Sequence, residues 1–106
     1  MYWHFYKVGS EKREKHMPKA KFTSALSRFF PNLKDISTSS GTIKDTISEV
    51  ENHYPGIQNF LIDQNGQLRD HVNIYIGSQL IKDRKDLSDV VEENDEVYFF
   101  QAISGG

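Results

Sequence analysis

The residues best able to do chemistry stand at the end of the sequence, in EVYFFQAISGG. Glu96 to Phe100 reads as a strand, with β-branched and aromatic residues in a row, and Ser104, Gly105 and Gly106 follow soon after. Gly105 and Gly106 have no side chains, so they make a thin thread that accepts almost any φ and ψ and fits a narrow channel. A carboxylate at the tip of such a thread is a poor electrophile. Converted by ATP into an acyl-adenylate, it becomes open to attack by sulfur or an amine, with a partner enzyme supplying nucleotide binding and positioning. A side chain at either of the last two positions would clash where the backbone must approach the α-phosphate. The expected working group is the carboxyl of Gly106, with Gly105 giving access.

Other chemistries find little support. The sequence has no cysteine, which removes disulfides, thiolate metal sites and a Cys nucleophile. His4, His16, His53 and His71 share no metal-ligand spacing. His53 falls near the end of a helical pattern, where it suits the helix dipole. The Ser-rich run STSSG lacks the Lys that a phosphate loop carries after its Gly, so it is expected to lead into a helix. No nucleophile elbow or acid–base pair is present, and a domain with one main helix has little room for a deep pocket. The chain is expected to be a co-substrate rather than an enzyme, with no bound cofactor and no metal.

The 106 residues suffice for one domain, and 37% hydrophobic and 12% aromatic residues suffice for a packed core. The charge is uneven. Residues 1–21 carry six basic and two acidic side chains, whereas the remainder carries seven basic and thirteen acidic ones. An acidic body argues against nucleic-acid binding, which needs a basic face, and favours an electropositive protein partner. No apolar run reaches membrane-spanning length and no secretory pattern opens the sequence, so a soluble cytoplasmic protein is expected. Residues 1–16, MYWHFYKVGSEKREKH, read as a detachable extension: aromatic first, through Tyr2, Trp3, Phe5 and Tyr6, then charged and linker-like. Residues 17–106 read as the domain.

That domain must position the tail. Lys19–Leu26 is expected as a first strand, followed by a break at Phe29-Phe30-Pro31-Asn32 and a second strand around Ile36. The clear helix lies in SSGTIKDTISEVENHYPG, where Ile43, Ile47, Val50 and Tyr54 fall on one stripe. Thr42 is placed to cap it with Asp45 three residues on, and Pro55-Gly56 to end it. Asp45, Glu49 and Glu51 lie off the stripe, on an expected solvated face. Asn65-Gly66 predicts a hairpin turn of type I′. HVNIYIG predicts a strand with Val72, Ile74 and Ile76 on one face, turning at Gly77-Ser78 into QLIK. Leu87, Val90 and Val91 are expected to plug the core from a single turn, EENDE to be a polar turn, and the last strand to start at Glu96. The sum is an α+β arrangement, one main helix across one mixed sheet.

The stretches VNIYIGSQLI, DLSDVVEENDEVYFFQAISGG and TIKDTISEVENHYPGI resemble the MoaD/ThiS family of small ubiquitin-like sulfur carriers, over about residues 17–106. Within it, NHYPGI…QLRDHVNIYI is most similar to the carrier of a thiocarboxylate route to cysteine, with the small subunit of molybdopterin synthase next. The resemblance implies a β-grasp fold with a mixed sheet of four to five strands. It implies an E1-like partner that adenylates Gly106 with ATP, sulfur replacing the adenylate to leave a thiocarboxylate, and a sulfur-accepting synthase. It also implies that Phe100 lies on the face that docks to the activating enzyme; the competing assignment places Phe100 in the core, because Tyr98, Phe99 and Phe100 cannot all face one way. The acidic turn at Glu92, Glu93, Asp95 and Glu96 is a second candidate docking element. The family usually has Pro where Gln101 or Ala102 stands, and the tail lacks the Arg residues of ubiquitin. Three alternatives stand beside the carrier: a protein modifier joined to lysines through the same tail, a subunit whose tail stays in a partner's active site, and an interaction module without tail chemistry.

Overall fold

The structure, a computed structural model, describes residues 17–101. The expected extension at residues 1–16 and the terminal Gly105 and Gly106 lie outside the described residues. The described residues form seven strands and three helices. Strand β1 (Lys19–Phe22) precedes a short helix α1 (Ser24–Ser27), then come β2 (Ile36–Ser37), β3 (Gly41–Thr42) and the main helix α2 (Ile43–His53). A one-turn helix α3 (Gln58–Leu61) leads to β4 (Val72–Ile76), β5 (Gln79–Leu80), β6 (Val90–Val91) and β7 (Glu96–Gln101). Five strands form one mixed sheet in the order β2-β1-β7-β4-β5, and β3 pairs with β6 in a second, two-stranded sheet. The central pair β1 and β7 is parallel; the other pairings are antiparallel.

Register fixes which side chains face inward. Ala20 lies opposite Val97, Phe22 opposite Phe99, and Ile74 opposite Phe99 on the other side. Because successive side chains in a strand alternate between faces, these residues meet on one side, where α2 covers them. Ile43, Ile47 and Val50 of α2 are buried against the sheet, together with Ile57, Leu61, Leu68 and Leu87. Each fully buried aliphatic side chain contributes roughly 1.5–3 kcal/mol relative to leaving it in water. Phe22 stacks on Phe99 with ring centroids 5.4 Å apart, and Tyr54 meets Phe22 edge-on at 6.1 Å. The Tyr54 hydroxyl in turn accepts from the Lys34 amide at 2.9 Å, tying the long β1–β2 connection to the end of the helix.

The start of α2 shows how local sequence and tertiary structure share the work. A helix leaves its first amides without partners inside the helix. Here Thr42 Oγ1 accepts from the Asp45 amide at 3.3 Å and Asp45 Oδ2 accepts from the Thr42 amide at 3.0 Å, the capping box the spacing predicts. The next donors reach a distant segment: the Ile43 amide donates to the Asp89 carbonyl and the Lys44 amide to the Leu87 carbonyl, both at 3.0 Å. Leu87 has a φ of 56° and a buried side chain. Such a backbone costs an L-residue roughly 1–2 kcal/mol, and Asp83 holds it in place. The Asp83 carboxylate accepts from the amides of Lys85, Asp86 and Ser88 and from the Ser88 hydroxyl.

Several expectations change in detail. The first strand ends at Phe22 rather than Leu26, because Ser24 and Ala25 lack the branched side chains that favour extended backbone and form a helical turn. At residues 65–66 only Gly66 has positive φ, at 80°, so the turn is not type I′. The Asp63 side chain accepts from the Asn65 and Gln67 amides and sets another geometry, flanked by a single bridge between Ile62 and Leu68. Leu87 and Val91 fill the core as expected, but Val90 is 62% exposed, because residues 90–91 form strand β6 rather than a turn. The carboxylates of the expected solvated face are committed to local bonds: Glu49 accepts from the Ser39 amide at 3.0 Å, and Glu51 from the Gly56 and Gln58 amides at 3.0 and 2.9 Å.

Three measurements check this account. Thr42→Ala should lower stability in urea by about 1 kcal/mol with an unchanged m-value. A Cβ at Gly41 would stand 2.7 Å from Asp45 Oδ2, so Gly41→Ala should also destabilise, and by less when Asp45 is already Ala. Hydrogen bonds from Ser88 and from the Asp86 amide hold the Asp83 carboxyl at about 2, below its ordinary 3.8. A group depressed in the folded state stabilises fully above its unfolded pKa. Thermal unfolding should therefore show this contribution above about pH 4 and lose it as pH falls through about 2, and Asp83→Asn should remove that part of the pH dependence.

Candidate functional site

Strand β7 sorts its own side chains. Val97 and Phe99 point into the core, both fully buried, while Glu96, Tyr98 and Phe100 point to the opposite face. The choice left open for Phe100 is settled as to side: it is 40% exposed and lies outside the core. Its neighbours follow from register. Phe100 lies opposite Asn73 and Tyr98 opposite Tyr75 on β4, while Lys21 on β1 lies opposite Tyr98. The Phe100 and Tyr75 rings meet edge-on at 5.3 Å. Asn73, Tyr75, Tyr98 and Phe100 line an open groove of about 800 Å³ on the outer face of the sheet, from Gly77, Ser78 and Glu96 at one end to Phe100 and Gln101 at the other.

Beside the aromatic residues runs a charged relay. Glu96 Oε2 is 3.3 Å from Lys21 Nζ, and the Tyr98 hydroxyl donates to Glu96 Oε1 at 2.6 Å. Lys21 Nζ also lies over the Tyr98 ring, 5.7 Å from its centroid. The Tyr98 hydroxyl, then Lys21, favour the ionised Glu96 and lower its pKa. The bond to Glu96 raises the pKa of Tyr98, and the same carboxylate raises that of Lys21. The three groups therefore keep one charge pattern, a paired carboxylate beside a neutral phenol, across the neutral range. In an exposed setting this pairing orients side chains more than it stabilises the fold.

The acidic candidates separate into two kinds. Glu96 belongs to β7 and faces the groove, so it is not part of the turn. Asp95 accepts from the Glu92 amide at 2.8 Å and thereby closes the turn, with Asn94 at a φ of 72°. Glu92 and Glu93 are exposed. This turn lies at the start of β7, and the tail follows its far end, so the strand's length separates the two. At that far end Gln101 is half-buried, and Gln101 Oε1 and Thr23 Oγ1 are buried without a hydrogen-bond partner. Gly105 and Gly106 lie outside the described residues.

Sequence reading missed Lys21, Tyr75 and Asn73 as companions of Phe100. Asn73 and Tyr75 are the alternate positions of VNIYI, between the apolar set Val72, Ile74 and Ile76. The outward half of the same alternation carries the signal for the groove. The partnership with Lys21 needs the parallel pairing of β1 with β7, which no local pattern reveals.

A family model described as the ThiS family matches residues 25–106. The chain belongs to the ThiS family. Among curated family relatives, the sulfur carrier protein CysO of Mycobacterium tuberculosis and that of Mycobacterium bovis are each 32% identical over 75 residues, covering 69% of this chain and 81% of the relative. Solved structures give the same fold. A chain of the Amycolatopsis orientalis BexX/CysO complex superposes with a TM-score of 0.72 at 20% identity, covering 84% of this chain and 99% of that one. Mycobacterium tuberculosis CysO gives 0.69 at 26% identity, covering 81% and 99%. SAMP1 from Haloferax volcanii gives 0.68 at 19% identity, covering 84% and 98%. The fold of this family member is accordingly the β-grasp, α+β with a five-stranded mixed sheet. No helix among the described residues is long and apolar enough to cross a membrane.

The division of β7 into two faces predicts a contrast between adjacent phenylalanines. Phe99→Ala should cost about 3–5 kcal/mol in urea unfolding. Phe100→Ser should change stability by less than about 0.5 kcal/mol, as expected at an exposed position.

Proposed function

We propose that this protein is a sulfur carrier whose reactive group is the carboxyl of Gly106. The observation that carries the reading is the ThiS family match, which runs through the last two glycines, together with a central strand that ends at Gln101, five positions earlier. The naming of CysO as a sulfur carrier protein supports it. An E1-like enzyme binds ATP, and the Gly106 carboxylate attacks the α-phosphorus with loss of pyrophosphate. A sulfur nucleophile then displaces AMP at the acyl carbon and leaves a thiocarboxylate, which a synthase accepts. The protein is a co-substrate in this cycle and binds no cofactor of its own; ATP is consumed by the enzyme. The cycle belongs in the cytoplasm, where ATP is supplied.

The folded part serves recognition. Catalysis by the partner depends on placing the acyl carbon correctly against the nucleotide, so the carrier must dock by a rigid surface. The outer groove with Phe100, Tyr98 and Tyr75 fits that role, since buried aromatics dominate the energy of protein interfaces. Glu96 at the start of β7, with Glu92 and Glu93 in the turn before it that Asp95 shapes, suits an electropositive rim on the enzyme and would act mainly on association rate.

Deleting Gly106 should leave thermal unfolding unchanged and abolish ATP–pyrophosphate exchange with the activating enzyme. Retained exchange would refute the reading. Intact mass of the native protein should show sulfur in place of one terminal oxygen, whereas adducts on lysines of other proteins would indicate a modifier instead.

A further inference from the structure

We propose that Arg84 is a positioning residue for the tail: its guanidinium holds the two residues of β4 on which the last two residues of β7 rest. Strand β7 is paired on both edges only as far as Phe99. The β1 register ends with Phe22 opposite Phe99, the Thr23 amide donates to the Phe99 carbonyl at 3.2 Å, and the chain then turns into α1. Phe100 and Gln101 pair with β4 alone, opposite Asn73 and Val72. The tail follows this one-sided end, so whatever fixes Val72 and Asn73 fixes its root.

On its other edge β4 is covered by β5 opposite Tyr75 and Ile76, and the Ile81 amide still reaches the Ile74 carbonyl at 3.0 Å. Val72 and Asn73 lie past that cover, and there a side chain takes the place of a strand. Arg84 Nη2 donates to the carbonyls of Val72 and Arg69 at 2.9 and 2.7 Å, and Nη1 donates to Asn73 Oδ1 at 3.1 Å. A rigid planar fork can serve three acceptors at fixed angles, which a compact ammonium cannot. Among the described residues no carboxylate pairs with Arg84, so its charge strengthens the bonds to these neutral acceptors. Arg84 is itself half-buried and held. Its carbonyl accepts from the Leu68 amide at 2.8 Å. Beside it the Asp83 amide donates to Asp89 Oδ1 at 2.8 Å, and the Asp83 carboxylate accepts from the Lys85 and Asp86 amides.

The clamp is a property of the fold; its consequence for the reaction rests on the proposed function, in which a misplaced acyl carbon slows the chemical step. Arg84→Met in the full chain keeps the bulk and removes the donors. The amides of Val72, Asn73, Phe100 and Gln101 that are protected in the wild type should then exchange with deuterium about tenfold faster, while those of Ile47, Ile76 and Val97 change by less than about threefold. Unchanged rates at the end of β7, or equal acceleration of all core amides, which marks a merely structural role, would each overturn the proposal. Arg84→Lys keeps the charge without the fork and should accelerate the same amides several-fold; wild-type rates in this milder variant would also overturn it. In ATP–pyrophosphate exchange with the activating enzyme, at a temperature where circular dichroism shows both variants folded, kcat should fall about tenfold with KM for the carrier within about threefold, because Glu96, Tyr75 and Tyr98 dock as before. An unchanged kcat, or a rise in KM alone, would overturn the role in positioning the tail. The deuterium measurement needs neither ATP nor Gly106, so it decides the clamp even where the wild type supports no pyrophosphate exchange and the sulfur-carrier reading itself fails.

Discussion

The structure depends on the pleat of one strand held between two others. β7 pairs in parallel with β1 and antiparallel with β4, so its backbone is bonded on both edges and its side chains have two directions available. Val97 and Phe99 take the side covered by α2, and Glu96, Tyr98 and Phe100 take the other. A shift by one residue would put Phe99 in water and a carboxylate in the core, an exchange costing several kcal/mol. The groove is the outer image of the packing that holds the domain together.

This constraint links stability to presentation. The last residues of β7 are among the most firmly held, because Phe99 packs on Phe22 and Ile74 at the sheet centre. A short tail rooted in such a strand starts from a fixed position and direction. On the proposed function, the entropy of placing the Gly106 carboxyl in a partner's active site is therefore limited to the few residues that follow.

The segment from Asp83 to Val91 plays a supporting part that resembles neither helix nor long strand. Asp83 organises the loop, Leu87 reaches the core from a left-handed backbone, and the carbonyls of Leu87 and Asp89 receive the first amides of α2. Arg84 completes it, donating to the carbonyls of Arg69 and Val72 at 2.7 and 2.9 Å and to Asn73 Oδ1 at 3.1 Å. These bonds fasten the start of β4, and thus one wall of the groove, to the loop that caps the helix.

The sequence by itself determined the features set by neighbours along the chain. The helix stripe of Ile43, Ile47 and Val50, its Thr42–Asp45 cap, its end before Pro55-Gly56, the inward face of Val72 and Ile74, and the start of β7 at Glu96 all follow from local periodicity and capping chemistry. The α+β class follows because a single amphipathic helix needs a sheet to cover it. Tertiary structure alone decided the parallel union of β1 with β7, the pairing of Gly41–Thr42 with Val90–Val91, the left-handed Leu87, and the meeting of Lys21, Tyr75, Tyr98 and Phe100 on one surface. The physical reason is sequence separation: partners some tens of residues apart leave no periodic trace in the chain, and only closure of the core brings them together.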